Sequence, residues 1–268
     1  MKQLIEHRIL SSFKEWFDHT LLYEGEAFFN ITSGQFFQMP DVYGLDCFGS
    51  PHAQWVYDSS ISEASIPTAS GIGVNYIDYK NGRVLGSMPS GNVNYSVKEV
   101  NVYTSTRSDQ ELIFSTKFNI LPKPYNNPAI TGLQPDIVIV PCAILKCDSI
   151  QASDIQLGGG VAEKKMQYSS ILITDSEFLL HGIGNIFADK QNKSFPIFPD
   201  SIFNKYGDFK SGQFNYNNLK SLHSQPDELA FINKTQFSPI QHDSISKIHP
   251  NLYFGKITFN ISFYKSKI

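Results

Sequence analysis

The chain has 268 residues, a formal net charge of -3 and no run or stripe of Lys and Arg, which argues against nucleic-acid binding driven by counterion release. Aromatic residues make up 13 %, with Phe foremost, and Asn, Ser and Tyr are frequent while Arg is scarce; this mix favours strands and hydrogen-bonded loops over long helices. Cys47, Cys142 and Cys147 form an odd set with no apolar leader, so reduced thiols are expected rather than a disulfide framework, and no stretch approaches the roughly 18 apolar residues of a membrane span, so a soluble protein made in a cytoplasm is expected.

In chain order, residues 1–20 read as a helix. Ile5, Ile9, Leu10, Phe13, Trp16 and Phe17 fall on one stripe at a 3.6-residue period, with Arg8, Ser11, Glu15 and Asp18 opposite, so the helix should pack one face on a sheet and offer the other to water. Ala27–Ile31 and Gln35–Met39 read as a pair of short strands around Ser33-Gly34. Residues 46–66 look irregular. Gly71–Tyr103 then reads as a β-meander: Asn81-Gly82 is a strong hairpin signal, Pro89-Ser90-Gly91 marks a second turn, and Val93, Tyr95 and Val97 alternate with polar residues. Val100 and Val102 continue on the opposite parity, which predicts a bulge or break near Lys98-Glu99.

Leu112–Ile120 is another strand candidate, and the prolines at 122, 124 and 128 make a stiff connector. Ile137–Leu145 is continuously apolar, as a strand buried on both faces would be, and Pro141 in its middle demands a bulge or an unpaired position. Cys142 and Cys147, five apart, should face opposite sides of that strand. Met166–Ile173 reads as a strand leading to a helix capped by Asp175 or Ser176, with Leu179, Leu180, Ile183, Ile186 and Phe187 as its apolar stripe; Gly182 and Gly184 weaken it or permit close packing. Residues 190–250 read as loop-rich with one short helix. The clearest period-two run closes the chain, where Ile257, Phe259, Ile261 and Phe263 alternate with polar residues, and the parity of Leu252 and Phe254 predicts a bulge near Gly255.

The residues that carry chemistry do not assemble into a known motif. The Gly158–Gly160 run lacks the Lys-Ser/Thr and the following helix of a phosphate loop. His242-Asp243 stands without a G-x-S-x-G nucleophile elbow. Glu24 and Glu26 could pair as glycosidase carboxylates do, but spacing of two is better read as a solvated strand edge. No EF-hand loop or Cys/His zinc spacing is present. Catalytic, cofactor-binding and metal-ligating residues are therefore all predicted as none, no cofactor is expected, and the chain is not expected to be an enzyme.

These elements predict an α+β fold: a mixed sheet packed by the N-terminal helix and a second helix, with a β-rich, meander- or sandwich-like insertion. Setting residues 46–130 aside leaves helix, strand pair, apolar strand, strand, helix, loop and long terminal strand. That order resembles the tail-terminator proteins of tailed bacteriophages. The pieces that match are the N-terminal helix with Phe13 and Trp16, Met166–Ile173 running into the Ser176 helix, and the closing Lys256–Tyr264 strand. The segment from Trp55 to Asn75, followed by Ile77–Leu85, also resembles virion proteins of marine tailed phages. The resemblance implies a core of residues 1–45 and 131–268 carrying an insertion at 46–130. It further implies a ring, a homohexamer, at the neck of the tail, which would end tube polymerisation and meet tail tube, possibly tail sheath, and head–tail connector. The implied location is the virion, after assembly in the host cytoplasm, without membrane contact. The rival readings are a peripheral tail, baseplate or collar protein that binds glycans or another partner, and a carboxylate-dependent glycoside hydrolase.

Overall fold

A computed structural model describes residues 5–42, 44–52, 54–62, 74–79, 82–87, 93–104, 119–122, 137–154, 161–203, 214–223, 228–240 and 251–266. The elements are α1 (Ile5–Glu24), β1 (Phe28–Gly34), β2 (Phe37–Val42), β3 (Leu45–Gly49), β4 (Val74–Asp78), β5 (Arg83–Gly86), β6 (Val93–Lys98) and β7 (Asn101–Thr104). They continue with β8 (Asn119–Pro122), β9 (Ile137–Val140), β10 (Cys142–Asp154), β11 (Val161–Thr174), α2 (Glu177–Ala188), β12 (Ser194–Pro196), a 3-10 turn (Asp200–Ile202), α3 (Tyr216–Leu222), β13 (Leu229–Ile240) and β14 (Tyr253–Ser266). The fold is α+β, as the pattern of elements predicts.

The main layer is a six-stranded sheet in the order β12-β13-β14-β11-β10-β7. Its pairings are antiparallel except that β7 runs parallel to β10, so the sheet is mixed. The period-two run of β14 explains its place near the centre. Ile257, Phe259, Ile261 and Phe263 all point to one face and are buried there. On the same face Met166 and Tyr168 of β11 stand level with Ile261 and Phe259. Both long helices cover this face. The α1 stripe of Ile9, Phe13, Trp16 and Phe17 is buried, and Phe13 sets its ring 5.0 Å from Tyr168, 5.0 Å from Phe259 and 5.6 Å from Phe195. From α2, Leu180, Ile183 and Phe187 complete the core; the Phe17 and Phe187 rings stack at 4.0 Å. Burial of such side chains contributes about 1.5–3 kcal/mol each, which is what fixes the helices on the sheet.

The second layer is built from β2-β3-β5-β4 and the separate pair β1-β6, around a core that includes Phe36, Trp55, Tyr95 and Val97. Several expectations are corrected here. Residues 46–66 are not irregular throughout, because β3 occupies their start. The strands at 27–31 and 35–39 do not pair with each other: β1 pairs with β6 and β2 with β3. The hairpin at Gly82, whose φ is 62°, does form between β4 and β5, yet the chain does not go on as a meander. β6 leaves to pair with β1, and β7 joins the main sheet. The parity slip between Val97 and Val100 marks this crossing, since Val93, Tyr95 and Val97 serve the second core and Val100 and Val102 the first. Residues 93–104 thus bridge both layers.

Pro141 divides the apolar run as its missing N–H requires. β9 pairs with β8 in a small parallel sheet, and β10 starts afresh in the main one. Cys142 and Cys147 do face opposite sides of β10, level with Ile173 and Tyr168, and none of the three cysteines is in a disulfide. The strand expected at 112–120 is described only from Asn119 onward. Gly255 carries no bulge: β14 keeps unbroken register against β11 from Tyr253 to Ser266. Phe254 instead belongs to a cluster on the other face of the sheet with Cys142, Ile144 and Ile173. Within 190–250, β13 is a long strand in place of the expected loop. A register shift between Ile232 and Lys234 breaks its alternation, and Pro239 argues locally against a strand while being tolerated at this edge.

Candidate functional site

A buried gathering of ionisable groups lies on the face of α1 that the sequence assigns to solvent. Glu15, Asp18 and His19 share one helical face by their spacing. That face is covered by the irregular stretch at 54–62 and by the end of β6, and its Ser11, Glu15 and Asp18 are buried. The expectation of a solvated polar face is therefore overturned. The second layer places its residues over α1 through main-chain bonds, Val56 N–H to Ser96 O at 2.8 Å and Lys98 N–H to Gln54 O at 3.0 Å.

The site has two halves. In the first, Tyr57 Oη–H donates to Glu15 Oε2 at 2.8 Å, and Lys14 Nζ lies 3.6 Å from Glu15 Oε1. Lys98 Nζ donates to Asp18 Oδ2 at 2.6 Å and sits 4.2 Å from the centre of the Tyr57 ring. Burial dominates the behaviour of Glu15 and pushes its carboxyl up to about 7; Asp18 adds to the rise, while Lys14, Lys98 and Tyr57 oppose it. In the second half, the His19 ring bonds Asp58 Oδ2 through Nδ1 at 2.7 Å and stacks 4.1 Å from Tyr216. Asp58 Oδ1 accepts from Ser60 N–H, Ser60 Oγ–H and Tyr216 N–H. Burial acts to raise the Asp58 carboxyl, but the bonds from His19, Ser60 and Tyr216 outweigh it and hold the group below its usual range. Burial also drives the Tyr216 phenol up, so it stays protonated.

A carboxyl that titrates near neutrality and a His–Asp pair are the raw materials of acid–base chemistry. The same groups also tie elements of the fold together. The bonds that are made run between elements: α1 to the 54–62 stretch, α1 to β6, and the 54–62 stretch to the start of α3, while Tyr216 Oη and Asp18 Oδ1 are buried without a hydrogen-bond partner among the described residues. Among the described residues no hydroxyl or thiol bonds the His19 ring. No three His, Cys, Asp or Glu side chains among the described residues converge where a metal ion could be held.

The residues weighed from the sequence lie elsewhere. Glu24 ends α1 and pairs with Lys190, and Glu26 sits in the following turn with φ 47°, so the two are not on one strand. Gly158–Gly160 and His242-Asp243 lie outside the described residues. Sequence reading does not single out Glu15, Asp18, Asp58 or Lys98 as a group. One signal is available. A solvated helix face ordinarily carries long charged side chains, whereas this one includes Ser11 and Asp18, short residues with weak helix preference that suit a packed interface.

No protein-family model matches the chain, and no curated protein matches it. No helix among the described residues is long and apolar enough to cross a membrane.

Proposed function

We propose that the chain is a structural protein of a tailed-phage virion, a tail terminator that assembles as a ring at the neck, ends tube polymerisation and joins the tail to the head connector. The observation that carries this reading is the arrangement of α1 and α2 on one face of the sheet formed by β10, β11, β14 and β13. It follows the helix, long strands, helix and terminal strand on which the resemblance to terminators rests. The clasp between α1 and the 54–62 stretch supports it further, because it ties the two layers together and lets the insertion serve as a fixed contact surface for tube, sheath or connector. The ring is a hexamer by the same resemblance, and its copies meet head to tail, as closed rings require. Light scattering on the purified chain tests the reading: a mass near six times 30.2 kDa is expected, and a monomer at all concentrations contradicts it.

A further inference from the structure

Among the described residues, the long strands next to the two ends of the main sheet, β10 and β13, are each paired along only part of their outer side. Among the described residues, β7 pairs with β10 from Cys142 to Leu145 and nothing pairs with it beyond. On the opposite edge β12 pairs with β13 at Leu229–Phe231, and main-chain bonds with Lys193 and Asn192 extend this to Ile232. Among the described residues the stretches left without an outer partner are thus 146–154 and 233–240, of nearly equal length. They lie at diagonally opposite corners, because Cys142, Ile173, Phe254 and Ile240 stand level at one end of the sheet while Asp154, Ala162 and Lys265 stand level at the other.

This diagonal placement matters. A second copy, shifted along the strands by the length of the open stretch, brings its 233–240 beside 146–154 of the first. β12 of one copy and β7 of the other then lie beyond the contact and do not collide. The two strands run antiparallel in this arrangement, since β10 and β13 already have opposite directions within one sheet. Antiparallel pairing gives the stronger ladder. The apolar layers also meet. Ile150, 47 % exposed, stands level with Met166, and Phe237 stands level with Ile257, so both project from the face that carries the helices. The register shift between Cys147 and Ser149 and the missing N–H of Pro239 bound the ladder at one end, which are the usual means of limiting unrestricted edge pairing.

We infer that copies of this chain join head to tail by adding the 233–240 edge of one to the 146–154 edge of the next, extending the sheet from copy to copy. The inference rests on the ring reading above and supplies its contact. It identifies the partner as a second copy of this chain, and the contact as heterologous.

Variants with one accessible cysteine, in a Cys147→Ser background whose remaining Cys47 and Cys142 are buried, test it, with a short bismaleimide as the cross-linker and thermal melting to confirm that each variant folds. Gln151→Cys and Gln236→Cys are both at exposed positions. Neither should link to itself, an equimolar mixture should shift to the mass of a covalent dimer, and the double variant should link into larger species. A single variant linking to itself overturns the head-to-tail arrangement. No linking in a sample that light scattering shows to be a multimer overturns the edge contact and leaves the ring reading standing. No linking in a monomeric sample overturns both.

Discussion

Lys98 Nζ and Asp18 Oδ2 meet at 2.6 Å where the two side chains are only 3 % and 4 % exposed, one from β6 of the second layer and one from α1 of the first. A buried pair of this kind gains little over well-packed apolar residues but is costly to break from one side, since the remaining charge is left in a low dielectric. Lys98→Met alone should therefore cost about 3–5 kcal/mol. The double variant Lys98→Met with Asp18→Leu should recover most of that loss. Urea unfolding of the wild type, both single variants and the double variant measures the coupling; additive losses would show that the pair does not act as a unit.

Glu15 gives the fold a pH dependence of defined sign. Its carboxyl is raised from 4.5 to about 7 in the folded chain, so the folded state binds more protons than the unfolded state between those values. The stability tied to Glu15 is fully present below about pH 4.5 and is lost as pH rises through 7. The loss should amount to about 3 kcal/mol. Glu15→Gln keeps a carbonyl to accept from Tyr57 Oη–H and cannot ionise. Its stability should change much less between pH 5 and pH 8 than that of the wild type, and parallel pH curves for the two proteins would contradict the assignment.

Phe13 packs against Trp16, Phe17, Tyr168, Phe195 and Phe259, and so joins α1 to three strands of the main sheet. Phe13→Ala should cost about 3–5 kcal/mol. Phe13→Asp places an unpaired charge in this core and should abolish folding. Circular dichroism and thermal melting check both; a Phe13→Asp protein with the wild-type melting point would remove α1 from the centre of the fold.

Gly182 and Gly184 lie in the same helix with opposite surroundings. A Cβ at Gly182 meets nothing within 4 Å, whereas one at Gly184 comes to 2.5 Å from the Phe237 ring. Gly182→Ala should stabilise the protein by roughly 1 kcal/mol through helix preference. Gly184→Ala should destabilise it by about 1–3 kcal/mol through overpacking. Melting curves of the two variants shifted in the same direction would contradict the packing of α2 on β13.

What was legible in the sequence follows from which interactions are local. The α1 stripe and the Ile257–Phe263 alternation each repeat the period of their own backbone, so they revealed element type and buried face. Pro141 and Gly82 marked breaks and turns through their own backbone limits. Sheet partners were not legible: whether Val93–Lys98 continues a meander or crosses to β1 depends on residues far away in the chain. The hidden strand β13 was lost because its register shift and Pro239 erase the alternation that sequence reading relies on. The site was the least legible part. Glu15 and Asp18 look like any polar helix face until Tyr57, Asp58 and Lys98 are laid over them from the second layer.

Negative-stain electron microscopy of the purified chain tests the assembly reading most directly. Closed rings with a uniform number of subunits, six by the resemblance, are the predicted result. A field of single copies, or of open filaments that never close, would contradict it.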